Sequence, residues 1–155
     1  MNASNTTTTD RYVRPGTVTA KVFNPLIAHL TRIGISFWGS RVLAVRGRTS
    51  GEIRTVPVNV LTHENERYLV APRGITQWVR NVRAAGECDL RVGRRVETVT
   101  VAELPDGAKP AILRAYLRRW KWEVGQFFDG IDADATDEQL LAIANGYPVF
   151  RINSV

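Results

Sequence analysis

Two short glycine-bearing turns hold the residues of this chain best suited to chemistry. They are Gly47-Arg48-Thr49-Ser50-Gly51, with Arg54 on the strand that follows, and Pro72-Arg73-Gly74. Backbone amides, two hydroxyls and guanidinium groups on such turns suit an anion such as a phosphate, because arginine offers a planar, bidentate fork of donors. Gly74 lets backbone approach a ligand, and the helix expected after it points its N-terminal amides the same way. Pairing of the intervening strands would bring both turns within reach of one ligand. The first turn has neither the G-x-x-x-x-G-K-[ST] order of a P-loop nor the G-x-G-x-x-G order of a dinucleotide fold. Taken alone, it also reads as a solvated basic turn.

Other chemistry is poorly provided for. No Ser/His/Asp set, paired-carboxylate site or metal-ligand spacing emerges, so covalent or acid-base hydrolysis has no machinery. His29 reads as an exposed or core-edge residue, His63 as a solvated one, and Cys88 as a small packed residue with no histidine near it in sequence to activate it. An enzyme of this composition borrows its chemistry from a bound redox cofactor, which the protein holds, orients and shields from water. Trp78 and Asn81 stand i, i+3 on the helix after the second turn and could face the same pocket, although a tryptophan so placed also reads as core.

The charge of +6 and the isoelectric point near 10.1 come from arginine far more than lysine, which implies an acidic partner. Arg83, Arg91, Arg94 and Arg95 raise a nucleic-acid module as one alternative. No helix-turn-helix or RNP-like segment accompanies them, so no nucleic-acid partner is expected. With 155 residues the chain is expected to fold as one domain over 20–155 behind a polar, Thr-rich tail over 1–19. The single cysteine, the absence of a long apolar run and the lack of a signal-like N-terminus point to the cytoplasm.

The elements that must position these residues follow from periodicity. Asn24 and Pro25 open an amphipathic helix over 25–37, whose apolar stripe, with Lys21 and Arg32 beside it, packs on a sheet or touches the inner membrane surface. Strands are expected over 41–46, 53–62, 67–71, 88–92, 95–103 and 147–152, and a helix over 75–85. In the second strand Val56, Val58 and Val60 share one face, and Thr55, Pro57 and Asn59 the other. Pro57 lacks an amide hydrogen, which argues for an edge or interrupted position where backbone can face a ligand. Asp106 opens an aromatic-rich helix, and Thr136-Asp137-Glu138-Gln139 reads as a capping box for a last one. The sum is an α+β, barrel-like domain of about six mostly antiparallel strands with peripheral helices.

Over about residues 24–104, the segments G-R-T-S-G-E-I-R-T-V-P-V-N, A-P-R-G and Q-W-V-R-N-V-R-A-A-G resemble the deazaflavin-dependent nitroreductase family. These are split-barrel proteins that use reduced coenzyme F-420 to reduce quinones and nitro compounds. The resemblance implies that Arg48, Thr49, Ser50, Gly51 and Arg54 hold the coenzyme's phosphate and acidic tail. It also implies that Pro57 and Asn59 line the deazaflavin ring, and that Ala71, Pro72, Arg73, Gly74, Trp78 and Asn81 close its other side. Tyr116, Trp120 and Trp122 are the aromatics available to roof a substrate pocket. Many relatives carry Ser-Lys-Gly where this chain has Pro72-Arg73-Gly74, which removes a hydroxyl and an amide hydrogen but keeps the charge and the glycine. The implied activity is hydride transfer to a quinone, nitroaromatic or enone-type acceptor, without an essential protein nucleophile or metal. A non-catalytic binder of the deazaflavin or of a fatty-acid-like anion, and an FMN-binding split-barrel protein, stand as the alternatives.

Overall fold

The computed structural model describes residues 11–12 and 40–155. The expected helix over 25–37, with His29, Lys21 and Arg32, lies outside them. Six strands alternate apolar and polar residues as read from the sequence: β1 (Ser40–Arg46), β2 (Ile53–His63), β3 (Glu66–Val70), β4 (Glu87–Val92), β5 (Arg95–Glu103) and β6 (Val149–Ser154). All their pairings are antiparallel, and they close a barrel in the order β1-β2-β3-β6-β5-β4. Closure leaves no free sheet edge except where a ladder stops short.

One such stop lies in β2. Among the described residues its first half pairs with β1 alone, whereas pairing with β3 begins only at Val60↔Leu69. Beyond that point the chain after β3 turns away: the Ala71 amide bonds to the Pro148 carbonyl at 2.9 Å, and the Gly74 amide to the Ala71 carbonyl at 3.2 Å. The barrel wall is therefore split between residues 53–59 and 71–76. Pro57, whose ladder partner is Val42, sits in that interrupted stretch, where its missing donor costs nothing on the open side.

Strand alternation sorts the core into two bodies. Inside the barrel, Leu43, Val45, Leu69, Leu90, Val99 and Phe150 pack together with Val79 and Val82 of α1 (Gln77–Ala85), while Val56, Val58 and Val60 of β2 line the same interior. Outside, Leu61, Val70 and Val149 meet α2 (Pro110–Val124) and α3 (Asp137–Ile143) through Leu113, Leu117, Trp120 and Leu140. Neighbouring residues on a strand thus serve opposite bodies, as Val60 and Leu61 do. The capping box on α3 forms as read: the Gln139 amide donates to Thr136 Oγ1 at 3.1 Å and the Thr136 amide to Gln139 Oε1 at 2.9 Å. The helix expected from Asp106 begins instead as a single 3-10 turn, because Pro110 occupies the first position of α2 and lets a second helix start there.

Arg11 and Tyr12 fall in the stretch read as a tail, yet they are tied to the second basic turn. Tyr12 forms a β-bridge with Gly74, and the Ile75 amide donates to the Arg11 carbonyl at 2.7 Å. The Arg11 guanidinium donates to the carbonyls of Pro72 at 2.9 Å, Phe127 at 2.7 Å and Gly146 at 3.2 Å, and stacks 4.3 Å over the Tyr147 ring. Gly74 permits this crossing: its φ is +85°, and a Cβ there would lie 2.1 Å from the Arg11 carbonyl oxygen. Gly74→Ala is expected to cost about 2–3 kcal/mol in urea unfolding, summing left-handed strain and the loss of about one hydrogen bond at the displaced Arg11.

Candidate functional site

The first basic turn is built by its own backbone. The Gly47 amide donates to the Glu52 carbonyl at 2.7 Å and the Gly51 amide to the Gly47 carbonyl at 2.9 Å. Gly51 adopts φ +74° with nothing within 4 Å of where a Cβ would stand, so it faces open space in a conformation that favours glycine. Ser50 Oγ accepts the Glu52 amide at 3.2 Å, which leaves its own hydroxyl proton for another acceptor.

A second element fixes the turn from outside the strand pair. Gln77 and Asn81 are one helical turn apart on α1, and both reach Arg48. Arg48 Nη1 donates to Gln77 Oε1 at 3.0 Å and to Asn81 Oδ1 at 2.8 Å, and the Arg48 amide donates to Asn81 Oδ1 at 3.2 Å. Asn81 is buried, and its amide carbonyl is the hinge pin between turn and helix. The first turn is thus tied to α1, which starts three residues after Gly74, and not to the second turn through strand pairing, which between β2 and β3 begins only at Val60↔Leu69.

Charge pairing separates Arg48 from five other arginines. Arg54 lies 3.3 Å from Glu52, Arg67 2.6 Å from Glu97, Arg83 2.7 Å from Glu103, Arg91 3.6 Å from Asp89 and Arg114 2.6 Å from Asp137. The side-chain partners of Arg48 are two neutral amide oxygens, which orient the guanidinium without cancelling its charge. Arg54 and Glu52 are both largely exposed, so that pair is weak and open to competition from a stronger anion. Arg73 is half-buried, with its guanidinium carbon 5.9 Å from the centre of the Tyr12 ring. Burial lowers its pKa from the ordinary arginine value, with Tyr12 opposing.

The ring-wall residues are distributed around the split. Pro57 and Asn59 are half-buried on the outer face of β2, Ala71 is buried, and Trp78 is half-buried with its ring 6.0 Å from Phe150 and tilted by 54°. Asn59 Nδ2 donates to Glu123 Oε2 of α2 at 3.3 Å. The three aromatics considered as a pocket roof are not brought together. Tyr116 and Trp120 are buried in the outer core with ring centres 5.1 Å apart, whereas Trp122 is 70% exposed. Asn81, which the resemblance places beside the ring, accepts from Arg48 through its Oδ1.

Cys88 is buried inside the barrel, and burial together with the charges of Asp89 and Glu87 pushes its thiol up to about 12, which keeps it protonated and unreactive. Among the described residues no group of acidic, histidine or cysteine side chains could hold a metal ion, and no helix is long and apolar enough to cross a membrane. His63 is half-buried and 3.9 Å from Glu64 rather than solvated. An open groove of about 460 Å³ lies between the β2–β3 hairpin and α2, lined by Leu61, His63, Arg114, Arg118 and Arg119. It contains none of the turn or wall residues. Arg11, Gln77 and Glu123 are the site neighbours that periodicity missed; only Gln77, one helical turn before Asn81, carried a usable signal.

Among solved structures the chain is similar to an F420-H2-dependent reductase at 18% identity, covering 74% of this chain and 94% of that one with a TM-score of 0.53. It is also similar to a domain-swapped dimer at 17% identity, with 83% and 92% covered and a TM-score of 0.55. A protein of unknown function from Agrobacterium tumefaciens aligns at 12% identity over 93% of this chain and 58% of its own, with a TM-score of 0.56. At these identities the likeness shows the fold, a split barrel. No curated protein matches the chain. The model of the F420H(2)-dependent quinone reductase family matches residues 28–132, which take in both turns, the split and all of α2. By that match the chain, an oxidoreductase, belongs to the F420H(2)-dependent quinone reductase family.

Proposed function

We propose that the protein binds reduced coenzyme F-420 at the split in the barrel and catalyses its use in reducing a quinone, nitroaromatic or enone-type acceptor. The observation that carries the reading is Arg48, positioned by Gln77 and Asn81 through neutral oxygens and so left with its charge for an anionic ligand. When bound, the coenzyme supplies a hydride. Arg48, the Ser50 hydroxyl and the turn amides would hold its phosphate and acidic tail, with Arg54 and Arg73 adding charge. Pro57 and Asn59 on one lip of the split, and Ala71 to Gly74 with Trp78 on the other, would border the ring and exclude water. No protein nucleophile is needed.

The test is a titration of the coenzyme with the protein, read by the coenzyme's fluorescence, followed by turnover with a panel of quinones, nitroaromatics and enones. Binding at micromolar concentration with oxidation of the reduced coenzyme is the expected result. Binding without turnover would make the protein a carrier, and tighter binding of FMN in a parallel titration would assign the split to the flavin.

A further inference from the structure

Beside the open half of β2 lies a polar cluster with no evident structural duty. Glu123 projects from the end of α2 toward the β2 segment that borders the split, where Asn59 Nδ2 donates to its Oε2 at 3.3 Å. Its carboxyl is half-buried. Among the described residues no cation pairs with it. The nearby Arg119 lies 5.0 Å over the Trp120 ring, and Lys121 sits 3.7 Å from Asp132. The titratable group facing it is Tyr116 of the same helix, which is buried. A half-buried carboxylate with one amide donor is a destabilising choice for a helix terminus, and a glutamine would serve the packing as well.

We propose that Glu123 is the proton donor of the reductive step, a role that rests on the reductase reading above. Reduction of a quinone to a hydroquinone takes up two electrons and two protons. The hydride would bring both electrons and one proton, and the coenzyme would be left oxidised once its remaining ring proton passes to solvent. The second proton comes from the Glu123 carboxyl: its O–H bond breaks as a new O–H forms on the acceptor, and solvent reprotonates the carboxylate. Asn59, on the lip of the split, aims the carboxyl. Burial supports this duty by raising the Glu123 pKa above the ordinary carboxylate value, with the Asn59 bond opposing. Burial and the Glu123 charge drive the Tyr116 hydroxyl upward as well, so it stays neutral and does not compete as an anion.

The experiment compares the wild-type protein with Glu123→Gln in three ways. Coenzyme titration is expected to be alike for both. Quinone turnover by the variant is expected to fall about tenfold or more and to lose the decline with rising pH that deprotonation of Glu123 imposes on the wild type. In the coenzyme-free wild type, carboxyl carbon NMR is expected to show one glutamate titrating above the model value of ~4.3 and absent from the variant. Because the folded pKa is raised, the stability contributed by this carboxyl is full below the unfolded pKa and is lost as pH rises through the folded one. The variant should therefore melt higher than wild type on the alkaline side only. Unchanged turnover and pH profile in a variant that binds coenzyme, or an ordinary pKa by NMR, overturns the proposal alone. Failure of the wild type to bind coenzyme overturns the reductase reading and the proposal with it.

Discussion

Trp120→Ala will lower the unfolding free energy by about 3–5 kcal/mol, the range for removing a large aromatic from a packed core. Trp120 is 1% exposed, its ring stands 5.1 Å from Tyr116 and it belongs to the cluster that seals α2 and α3 onto the outside of the barrel. It also occupies a kink in α2, with φ −127° and ψ 21°, so the side chain is held where the helix changes direction. Loss of the ring leaves a cavity that a kinked segment is poorly placed to fill. Urea unfolding measures the cost, and coenzyme titration of the folded fraction should remain near that of wild type. A residue roofing a substrate pocket would behave the other way, with stability nearly unchanged and KM for the acceptor raised. Trp122→Ala is the control: at 70% exposure it should alter stability by no more than ~0.5 kcal/mol.

The aromatic helix shows where reading a sequence stops. Tyr116, Trp120 and Trp122 look equivalent along the chain, and only the angle at which α2 meets β2 and β3 decides which rings are covered. Features that depend on a few neighbouring residues were legible: the six strands by alternation, the capping box at Thr136 and the interrupted position of Pro57 by its missing donor. The barrel order places β6 between β3 and β5, and that order has no local signature. The same holds for side chains whose partners are distant in sequence. Arg11 reaches carbonyls 61, 116 and 135 residues away, and its polar, Thr-rich surroundings gave no hint of an anchor. Glu123 and Asn59 are 64 residues apart and meet because α2 folds back across β2. In the first turn the glycines and the arginine were readable, but the part played by Asn81 was not. Its spacing from Trp78 suggested a shared face, whereas its carbonyl turns to the Arg48 amide and guanidinium.

Arg48→Ala will weaken coenzyme binding roughly ten- to hundredfold, the equivalent of the ~1.5–3 kcal/mol that hydrogen bonds to a charged group contribute. The size of the effect follows from how the guanidinium is held. Gln77 and Asn81 fix its direction before any ligand arrives, which reduces the rotamer entropy lost on binding, and neither neutralises it. Arg54→Ala should cost less than Arg48→Ala, because Arg54 already shares its charge with Glu52, whereas the partners of Arg48 are neutral. Arg48→Lys separates the two contributions: it keeps the charge but loses the planar fork, so its affinity should fall between wild type and alanine. Raising ionic strength should weaken the wild type more than Arg48→Ala, since the variant has lost the contact most subject to screening. Fluorescence titration of the coenzyme measures all four proteins in the same way. Equal affinities for wild type and Arg48→Ala would mean that the charge at the turn serves the fold alone, and that the anionic tail lies elsewhere on the barrel.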